Sequence, residues 1–284
     1  MQVAIIGAGF LGGEILAQLS GSGVLTLVTH NQNPRFPNSL KFDFFADDIC
    51  EVFKNHKIDV VFLAAKIEFV EDEELLEKSM RRFIAGCAGM RLVYFSSDGI
   101  FDGERGMYDE TDIPKPVTNY GRNLELCEKL IKKYAKNCCI IRPSYIYGFS
   151  DLRLDSRLWK ASGALKKGER VERFSDMYKS PLSVKEVAQA SIKLGLSDYQ
   201  GIVHVAGPRL SIYEFHRQAL EALGVPTNNL IATKMPEKRP VDFLVDTSLD
   251  YTLMTKLTGI EPANVEKSLL QVSFPRRRES SEKA

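Results

Sequence analysis

The sequence has few cysteines, and their spacing supports neither of the common structural uses of that residue. Five are present among 284 residues, an odd number at irregular positions and without a CxxC pair. Zinc sites and disulfide frameworks require closely spaced or evenly paired cysteines. We therefore expect reduced thiols, with no metal site and no disulfide scaffold.

The chain also lacks a strong charge of either sign and any long apolar run. Its formal net charge of +1 gives no electrostatic reason to expect nucleic acid or an anionic membrane as a partner. No apolar run approaches the roughly 18 residues of a membrane span, and the first residues lack the basic segment of a signal peptide. The expectation is a cytoplasmic protein that binds neither nucleic acid nor membrane, and the sequence is compatible with a homodimer.

The first 150 residues alternate short apolar runs, rich in β-branched residues, with amphipathic segments. Apolar runs of this kind are typical of parallel strands that are buried on both faces. Alternating strands and helices predict a Rossmann-like, doubly wound parallel sheet of the α/β class. Strands are predicted at 3–7, 24–29, 60–65, 91–97 and 138–143, and helices at 11–20, 47–57, 72–87 and 121–136.

Beyond residue 150 the alternation is less regular. A helix and a short strand are predicted within 151–174, a buried strand at 202–207, and two helices with capping boxes at 183–196 and 211–224. The charged end of the chain, with few apolar residues, predicts disorder. The expected division is a Rossmann domain of 1–148 plus 183–207, a smaller C-terminal α/β substrate lobe of 149–182 plus 208–272, and a disordered tail at 273–284.

The glycine motif GAGFLG follows the first predicted strand and opens the first predicted helix. In this context Gly7 permits a tight turn, Gly9 lets the backbone approach a pyrophosphate, and Gly12 lets helix and strand pack closely. The helix N-terminus adds unpaired N–H donors for phosphate oxygens. The motif predicts a dinucleotide site, and the alternative is a glycine-rich turn without a ligand.

The end of the second predicted strand bears on which dinucleotide binds. NAD sites place Asp or Glu there to accept from the ribose hydroxyls. This chain has Thr29, His30 and Asn31, with no carboxylate before Asp43 and with Arg35 nearby. We expect NADP(H), with His30, Asn31 and Arg35 near the 2′-phosphate; NAD(H) is the alternative cofactor, and ordinary loop residues are the alternative interpretation.

Three segments should meet where ligands bind, at the carboxyl ends of the parallel strands. They are residues 94–108, 119–125 and 140–148, and they carry Ser97 and Tyr120. A serine hydroxyl can polarise a carbonyl while a neighbouring phenol donates a proton and a nicotinamide supplies the hydride. The three segments therefore predict a carbonyl reductase site.

The motifs together resemble the extended short-chain dehydrogenase/reductases, specifically the dTDP-4-dehydrorhamnose reductase branch. The resemblance extends over 1–272, and its most specific part is SSDGIFDGERGMYDETDIPKPVTNYG, accompanied by GAGFLG, VVFLAA and IIRPSYIYG. It implies an NADP(H)-dependent reductase acting on a 4-keto nucleotide sugar or a related small carbonyl substrate.

The resemblance also implies roles for individual residues. It implies Ser97, Asp98 and Tyr120 as catalytic residues, and Arg157, Lys179 and Arg239 as contacts to a nucleotide diphosphate. The implied cofactor contacts are Gly7, Gly9, Phe10, Leu11, Gly12, Ala64, Ala65, Ser96, Tyr120, Pro143 and Ser144.

Two positions depart from the family pattern. Gly99 occupies the place where related dehydratases carry glutamate, which argues against a 4,6-dehydratase. Leu124 stands where the family carries a lysine that holds the nicotinamide ribose and lowers the pKa of the tyrosine. Two hypotheses follow: a reductase that is slow or uses a cation from another segment, and a degenerate NADP(H)-binding regulatory or scaffold protein resembling the methionine adenosyltransferase regulatory subunit.

Overall fold

A computed structural model of the chain describes residues 1–238, 240 and 243–270. Within these ranges no helix is both long enough and apolar enough to cross a membrane. The tail at 273–284, for which disorder is predicted, and Arg239, a predicted substrate contact, lie outside the described residues.

The strands are short, and the inner strands of the central sheet are almost entirely buried, whereas the edge strand Leu40–Lys41 is exposed. The strands are β1 Gln2–Ile6, β2 Leu25–His30, β3 Leu40–Lys41, β4 Val60–Leu63, β5 Arg91–Phe95, β6 Cys138–Pro143, β7 Ile146–Tyr147, β8 Phe149–Ser150, β9 Arg153–Leu154, β10 Val171–Phe174, β11 Tyr178–Lys179, β12 Leu182–Ser183, β13 Gly201–Val205, β14 Leu210–Ser211 and β15 Leu230–Thr233. Burial on both faces explains why the central strands are continuous apolar runs without alternation.

Most of the longer helices carry an apolar stripe that faces a sheet or another helix. The helices are α1 Phe10–Leu19, α2 Ile49–Phe53, α3 Glu73–Gly86, α4 Asn119–Tyr134, α5 Ser156–Lys166, α6 Val184–Gly195, α7 Ile212–Ala222, α8 Thr252–Thr258 and α9 Val265–Leu270. Such stripes stabilise a helix mainly through the apolar area that they bury against the rest of the fold.

Within the described residues, the central sheet has seven parallel strands in the order β13-β6-β5-β4-β1-β2-β3. The strand order reverses at β1, which pairs with β2 on one side and with β4 on the other. Ligands of open parallel sheets bind in the crevice at such a reversal, beyond the carboxyl ends of the strands. The predicted Rossmann-like fold is confirmed, and its reversal point lies where Gly7 leaves β1.

The sheet is covered on both faces. Residues of α2, α3 and α4 form one apolar cluster with the sheet, including Phe83 and Ile131, and residues of α1, α6 and α8 form another, including Ile15 and Met254. One smaller cluster joins α5, α7 and α9 around Phe215, and another joins α5 and α7 around Leu220. The proposed division of the chain into a Rossmann domain and a substrate lobe stays a prediction.

One predicted helix is much shorter than expected. The prediction of 47–57 was wrong in extent, because α2 covers only Ile49–Phe53. Asp48 is the N-cap of α2, and its side chain accepts a hydrogen bond from the backbone N–H of Cys50, so the helix begins after it. At the C-terminal end of α2, residues 54–57 are exposed and polar, so a further helical turn would bury no apolar surface.

Both predicted capping boxes place serine at the N-cap, and at α6 and α7 the described bonds form the serine half of the reciprocal pattern. Ser183 Oγ accepts from the backbone N–H of Glu186, and Ser211 Oγ accepts from that of Glu214. The carboxylate of Glu186 accepts from Ser183 Oγ and from the backbone N–H of Ala263. Glu186 therefore ties the start of α6 to the segment before α9.

A buried ion pair connects α4 with β6 beneath the predicted active site. Arg142 donates from Nε and Nη2 to the two oxygens of Glu128, at 2.8 and 2.7 Å. The side chains are 0% and 1% exposed, and the guanidinium lies 5.2 Å from the ring centre of Phe101. Because α4 carries Tyr120, this pair helps to fix the helix of the candidate proton donor against the sheet.

We expect Glu128→Ala to lower the free energy of unfolding by about 3–5 kcal/mol, because it leaves Arg142 buried without its counter-charge. Urea denaturation at neutral pH measures the loss. The matched control is Glu125→Ala on the same helix, which removes a pair with the exposed Lys129 and should cost less than about 1 kcal/mol. Equal losses in the two variants would show that the buried pair does not stabilise the fold.

Candidate active site

The glycine loop has the shape that a dinucleotide phosphate requires. Gly7 has φ of +100°, and a Cβ there would lie 2.7 Å from the backbone of Ala65 on the neighbouring strand end. A Cβ on Gly12 would lie 2.1 Å from the carbonyl oxygen of Gly7. A Cβ on Gly9 would meet no described atom within 4 Å, so open space lies above that backbone. The residues present therefore fit a phosphate group held at the start of α1.

The start of α1 offers its donors to that space. Gly9 is the N-cap of the helix and has no side chain to accept from the first backbone N–H groups. Unpaired donors and the positive end of the helix dipole favour an anion at this position. The predicted function of the glycine motif thus agrees with the local geometry.

One cleft of about 1310 Å³ brings most of the predicted site residues together at the carboxyl ends of the strands. Gly12 is packed beneath the loop, and Arg35 lines a smaller neighbouring cavity of about 450 Å³. The predicted residues that line the main cleft are Gly7, Gly9, Phe10, Leu11, His30, Asn31, Ala64, Ala65, Ser96, Ser97, Asp98, Tyr120, Pro143, Ser144, Arg157 and Lys179.

The end of β2 carries polar side chains and no carboxylate. His30 and Asn31 line the cleft, and His30 Nδ1 lies 2.8 Å from Ser39 Oγ. Arg35 donates to the carbonyl oxygen of Gly9 at 2.9 Å and pairs with Asp151 at 3.5 Å. Its guanidinium therefore supports the glycine loop from the side, and contact of Arg35 with a 2′-phosphate stays a prediction.

Asp98 is buried at the centre of a hydrogen-bond network after β5. Its Oδ1 accepts from Ser97 Oγ at 2.9 Å, and its Oδ2 accepts from Ser144 Oγ at 3.1 Å and from Lys179 Nζ at 2.8 Å. The hydroxyl of Thr247 also donates to Oδ2. Burial by itself would raise the pKa of Asp98, but the charge of Lys179 and these donors hold it below the usual value. Asp98 is therefore ionised at neutral pH.

Tyr120, in the first turn of α4, lies beside Ser97. Burial raises the pKa of Tyr120 above its ordinary value, the negative charges of Glu68 and Asp98 add to this rise, and a hydrogen bond with Ser97 opposes it. The ring of Phe69 stacks on the Tyr120 ring with centroids 4.7 Å apart. Tyr120 therefore keeps its proton at neutral pH, which suits a proton donor.

Glu68 is a buried acid at the edge of the same cleft that the sequence did not reveal. Its Oε1 accepts from Tyr94 at 2.6 Å, and burial raises the pKa of Glu68 to about 7 against the effect of this hydrogen bond. The neighbouring Asn123 on α4 donates to the carbonyl oxygens of Glu68 and Val70. Asn123 thereby connects α4 to the loop after β4.

Leu124 is fully buried and is not among the residues that line the cleft. It packs in an apolar cluster with Ile100, Phe101 and Leu249, which also contacts Tyr120. Arg122, two residues earlier, is exposed and donates to Asn119 and to the carbonyl oxygen of Val117. Helix α4 thus supplies no cation to Tyr120 within the described residues.

A side chain at position 99 would crowd the ring of the candidate proton donor. A Cβ at that position would lie 3.0 Å from Cε1 of Tyr120, closer than Cβ contacts normally occur. The glutamate expected of a dehydratase would need the tyrosine ring to move. That this chain is not a 4,6-dehydratase stays a prediction from the sequence.

The far end of the cleft is lined by arginines. The guanidinium of Arg157 lies 3.5 Å from the ring centre of Tyr145, and Arg157 also donates to the carbonyl oxygen of Ile146. Arg173 lines the cleft nearby, and burial lowers its pKa. His216 is neutral there, because burial and the charge of Arg173 lower its pKa to about 4. Sequence reasoning missed Arg173 and His216, since nothing in their local patterns distinguishes them from ordinary residues of a strand and a helix.

The model of the family described as RmlD substrate binding domain matches residues 1–273. The chain belongs to this family. Membership in the RmlD substrate binding domain family confirms the resemblance to the dTDP-4-dehydrorhamnose reductase branch of the extended short-chain dehydrogenase/reductases.

Two similar proteins carry names of different kinds. Spore coat polysaccharide biosynthesis protein SpsK of Bacillus subtilis (strain 168) is 30% identical over 249 residues, which cover 82% of this chain and 83% of SpsK. Methionine adenosyltransferase 2 subunit beta of Xenopus laevis is 25% identical over 177 residues, which cover 59% of this chain and 51% of that protein.

Solved structures share the fold over almost the whole chain. A hypothetical dTDP-4-dehydrorhamnose reductase from Sulfolobus tokodaii superposes with a TM-score of 0.80 at 25% identity, covering 95% of this chain and 99% of that one. The dTDP-4-dehydrorhamnose reductase from Bacillus anthracis in complex with NADP gives a TM-score of 0.78 at 20% identity, covering 95% and 97%. The second likeness shows the fold alone.

Proposed function

We propose that the protein is an NADP(H)-dependent reductase of a 4-keto nucleotide sugar. The observation that supports this most is the single cleft in which the open glycine loop and the group Ser97, Asp98 and Tyr120 both lie. Family membership supports it further, as does the name dTDP-4-dehydrorhamnose reductase carried by a structural neighbour that binds NADP.

The bound cofactor would supply the hydride to the carbonyl carbon. Ser97 would polarise the carbonyl oxygen by donating a hydrogen bond, and Tyr120 would deliver the proton to that oxygen. The raised pKa of Tyr120 keeps it protonated and so suits reduction, whereas oxidation requires the phenolate. The site is therefore better suited to reducing a ketone than to oxidising an alcohol.

The phosphates of the two ligands would occupy opposite ends of the cleft. Gly9, Phe10 and Leu11 at the start of α1 would hold the cofactor pyrophosphate, with Ala64 and Ala65 beside the adenosine. Arg157 and Arg173 at the other end would bind the substrate diphosphate, because guanidinium groups pair well with phosphate oxygens. Arg239 stays a predicted substrate contact from the sequence.

We expect NADPH to bind at least about tenfold more tightly than NADH, because the end of β2 carries no carboxylate to repel a 2′-phosphate. Titrations of cofactor fluorescence with the purified protein measure both affinities. Asn31→Asp should reverse the preference by placing a carboxylate beside the ribose. The control is Asn55→Asp, the same charge change at an exposed position outside the cleft. Failure to bind either cofactor would contradict the proposal.

The buried Leu124 favours a second candidate function. A protein without the helix lysine can keep the cofactor and lose the chemistry, and methionine adenosyltransferase 2 subunit beta is a relative whose name describes a subunit. In that case the protein binds NADPH but leaves it unoxidised in the presence of dTDP-4-keto-6-deoxy sugar. The same assay run with and without this substrate separates the two functions.

A further inference from the structure

The missing helix lysine raises the question of which positive charge serves the catalytic group. Within the described residues, the cleft is lined by Lys66, Arg153, Arg157, Arg173 and Lys179. Of these, Lys179 forms an ion pair with Asp98, with Nζ 2.8 Å from Oδ2. It is separated from Asp98 by 81 residues in the sequence and comes from β11, which lies outside the central sheet.

The backbone of Lys179 is fixed. Its neighbour Tyr178 donates to the carbonyl oxygen of Val245 at 2.7 Å and accepts from the N–H of Thr247 at 3.3 Å. The next residue, Ser180, donates its N–H to Ser144 Oγ at 3.1 Å. The ammonium itself also donates to Thr247 Oγ1. The position of the charge is therefore set by the fold and not by a mobile surface side chain.

We propose that Lys179 is a positioning residue that replaces the absent helix lysine, acting on Ser97 and Tyr120 through Asp98. This inference rests on the proposed reductase function. It differs from the role that the sequence resemblance implies for Lys179, which is contact with the substrate diphosphate.

The Ser97 hydroxyl has a single proton to donate in a hydrogen bond. In the structure that proton is donated to Oδ1 of Asp98, so Ser97 must turn away from Asp98 to polarise a ketone. Asp98 is 5% exposed. Without a counter-charge, its buried carboxylate would either hold the hydrogen bond from Ser97 more strongly or become protonated. Lys179 offsets the charge of Asp98 from the Oδ2 side and leaves Ser97 free to turn.

The ion pair between Lys179 and Asp98 also affects proton donation by Tyr120. The charge of Asp98 opposes formation of the phenolate after proton donation, and Lys179 partly cancels that charge. Lys179 from β11 and Tyr120 from α4 face Asp98, together with the hydroxyls of Ser97, Ser144 and Thr247, while Glu68 acts on Tyr120 from the loop after β4.

The test compares Lys179→Met with Lys179→Arg and with Lys167→Met, an exposed control at the end of α5. In the ligand-free protein, carbon-13 NMR of labelled aspartate follows the titration of the Asp98 carboxyl. We expect the pKa of Asp98 to rise clearly in Lys179→Met and to change little in Lys179→Arg and Lys167→Met. This readout needs neither cofactor nor turnover.

The pH dependence of the protein's stability should also show the raised pKa of Asp98 in Lys179→Met. A carboxyl whose folded pKa is depressed contributes stability above its unfolded pKa, and that contribution is lost as the pH falls through the folded value. In Lys179→Met the folded pKa is higher, so the acid limb of the unfolding curve should move to higher pH. The double variant Asp98→Asn/Lys179→Met removes both charges and should fold even if Lys179→Met does not.

With NADPH and a dTDP-4-keto sugar, we expect Lys179→Met to lower kcat by about 10- to 100-fold, the range for loss of one charge-assisted hydrogen bond. KM should change little, and Lys179→Arg should recover part of kcat. A raised KM with unchanged kcat would instead assign Lys179 to substrate binding, and an unchanged Asp98 titration would overturn the inference. If the wild-type protein turns over no 4-keto sugar, the proposed function fails while the Asp98 titration still decides the role of Lys179.

Discussion

Tyr120→Phe is expected to lower kcat for ketone reduction by about 10²- to 10⁴-fold, the usual contribution of a positioned general acid. The variant keeps the ring, which stacks on Phe69 and packs against Gly99, and removes only the hydroxyl. Cofactor affinity and the free energy of unfolding should therefore stay near the wild-type values. Steady-state oxidation of NADPH in the presence of dTDP-4-keto-6-deoxy sugar measures kcat.

The control for this variant is on the same helix. Tyr134→Phe removes a phenol at the exposed end of α4, where it contacts Arg81, and should leave kcat unchanged. Wild-type turnover by Tyr120→Phe would show that another group donates the proton. Loss of cofactor binding together with turnover would show a structural role for the hydroxyl.

Leu124→Lys is expected to destabilise the protein by several kcal/mol at neutral pH, because position 124 is 0% exposed and surrounded by apolar side chains. From the sequence alone, restoring the family lysine should raise activity. The structure gives a reason to expect a cost in stability, since a lysine here replaces Leu124 against Ile100, Phe101 and Leu249. Urea denaturation of the variant measures this cost.

The pH dependence of the stability loss in Leu124→Lys shows whether a buried lysine charge causes it. Burial lowers the pKa of a lysine, so the unfolded state binds more protons than the folded state between the two pKa values. The stability deficit of Leu124→Lys should therefore shrink as the pH rises toward about 10, the unfolded pKa of lysine. Leu124→Met should be nearly neutral at every pH, and Arg122→Lys is the control for a lysine at an exposed site on α4. A stable variant with increased turnover would show that the lysine reaches the cleft instead.

The central fold could be predicted because its signals are local. The apolar runs of β1, β4, β5 and β6 and the glycine motif between β1 and α1 each lie within a few consecutive residues. Parallel strands without alternation and a GxGxxG at their start have one common arrangement, so the position of the cleft followed from the order of the elements. The two-residue strands β7, β8 and β9 carry no such pattern, because tertiary pairing alone defines them.

The candidate site was only partly predictable, because some of its contacts join residues that are far apart in the sequence. Ser97 and Tyr120 belong to a continuous motif, and the cleft contains both. The partner of Asp98, Lys179, comes from a distant strand, and its pattern in the sequence is that of a surface charge. Whether Leu124 faces the cleft or the apolar cluster depends on the packing of α4 against Ile100 and Leu249, which the sequence of α4 does not contain.

The proposed function requires this cleft to reduce a nucleotide-sugar ketone with hydride from NADPH. The most direct measurement is transfer of deuterium from NADPH labelled at the nicotinamide C4 to dTDP-4-keto-6-deoxy sugar, followed by mass spectrometry and NMR of the product. The proposed function predicts one deuterium at the former carbonyl carbon with the wild-type protein and almost none with Tyr120→Phe. Tight binding of NADPH without label in the sugar would contradict the reductase function and favour the binding protein.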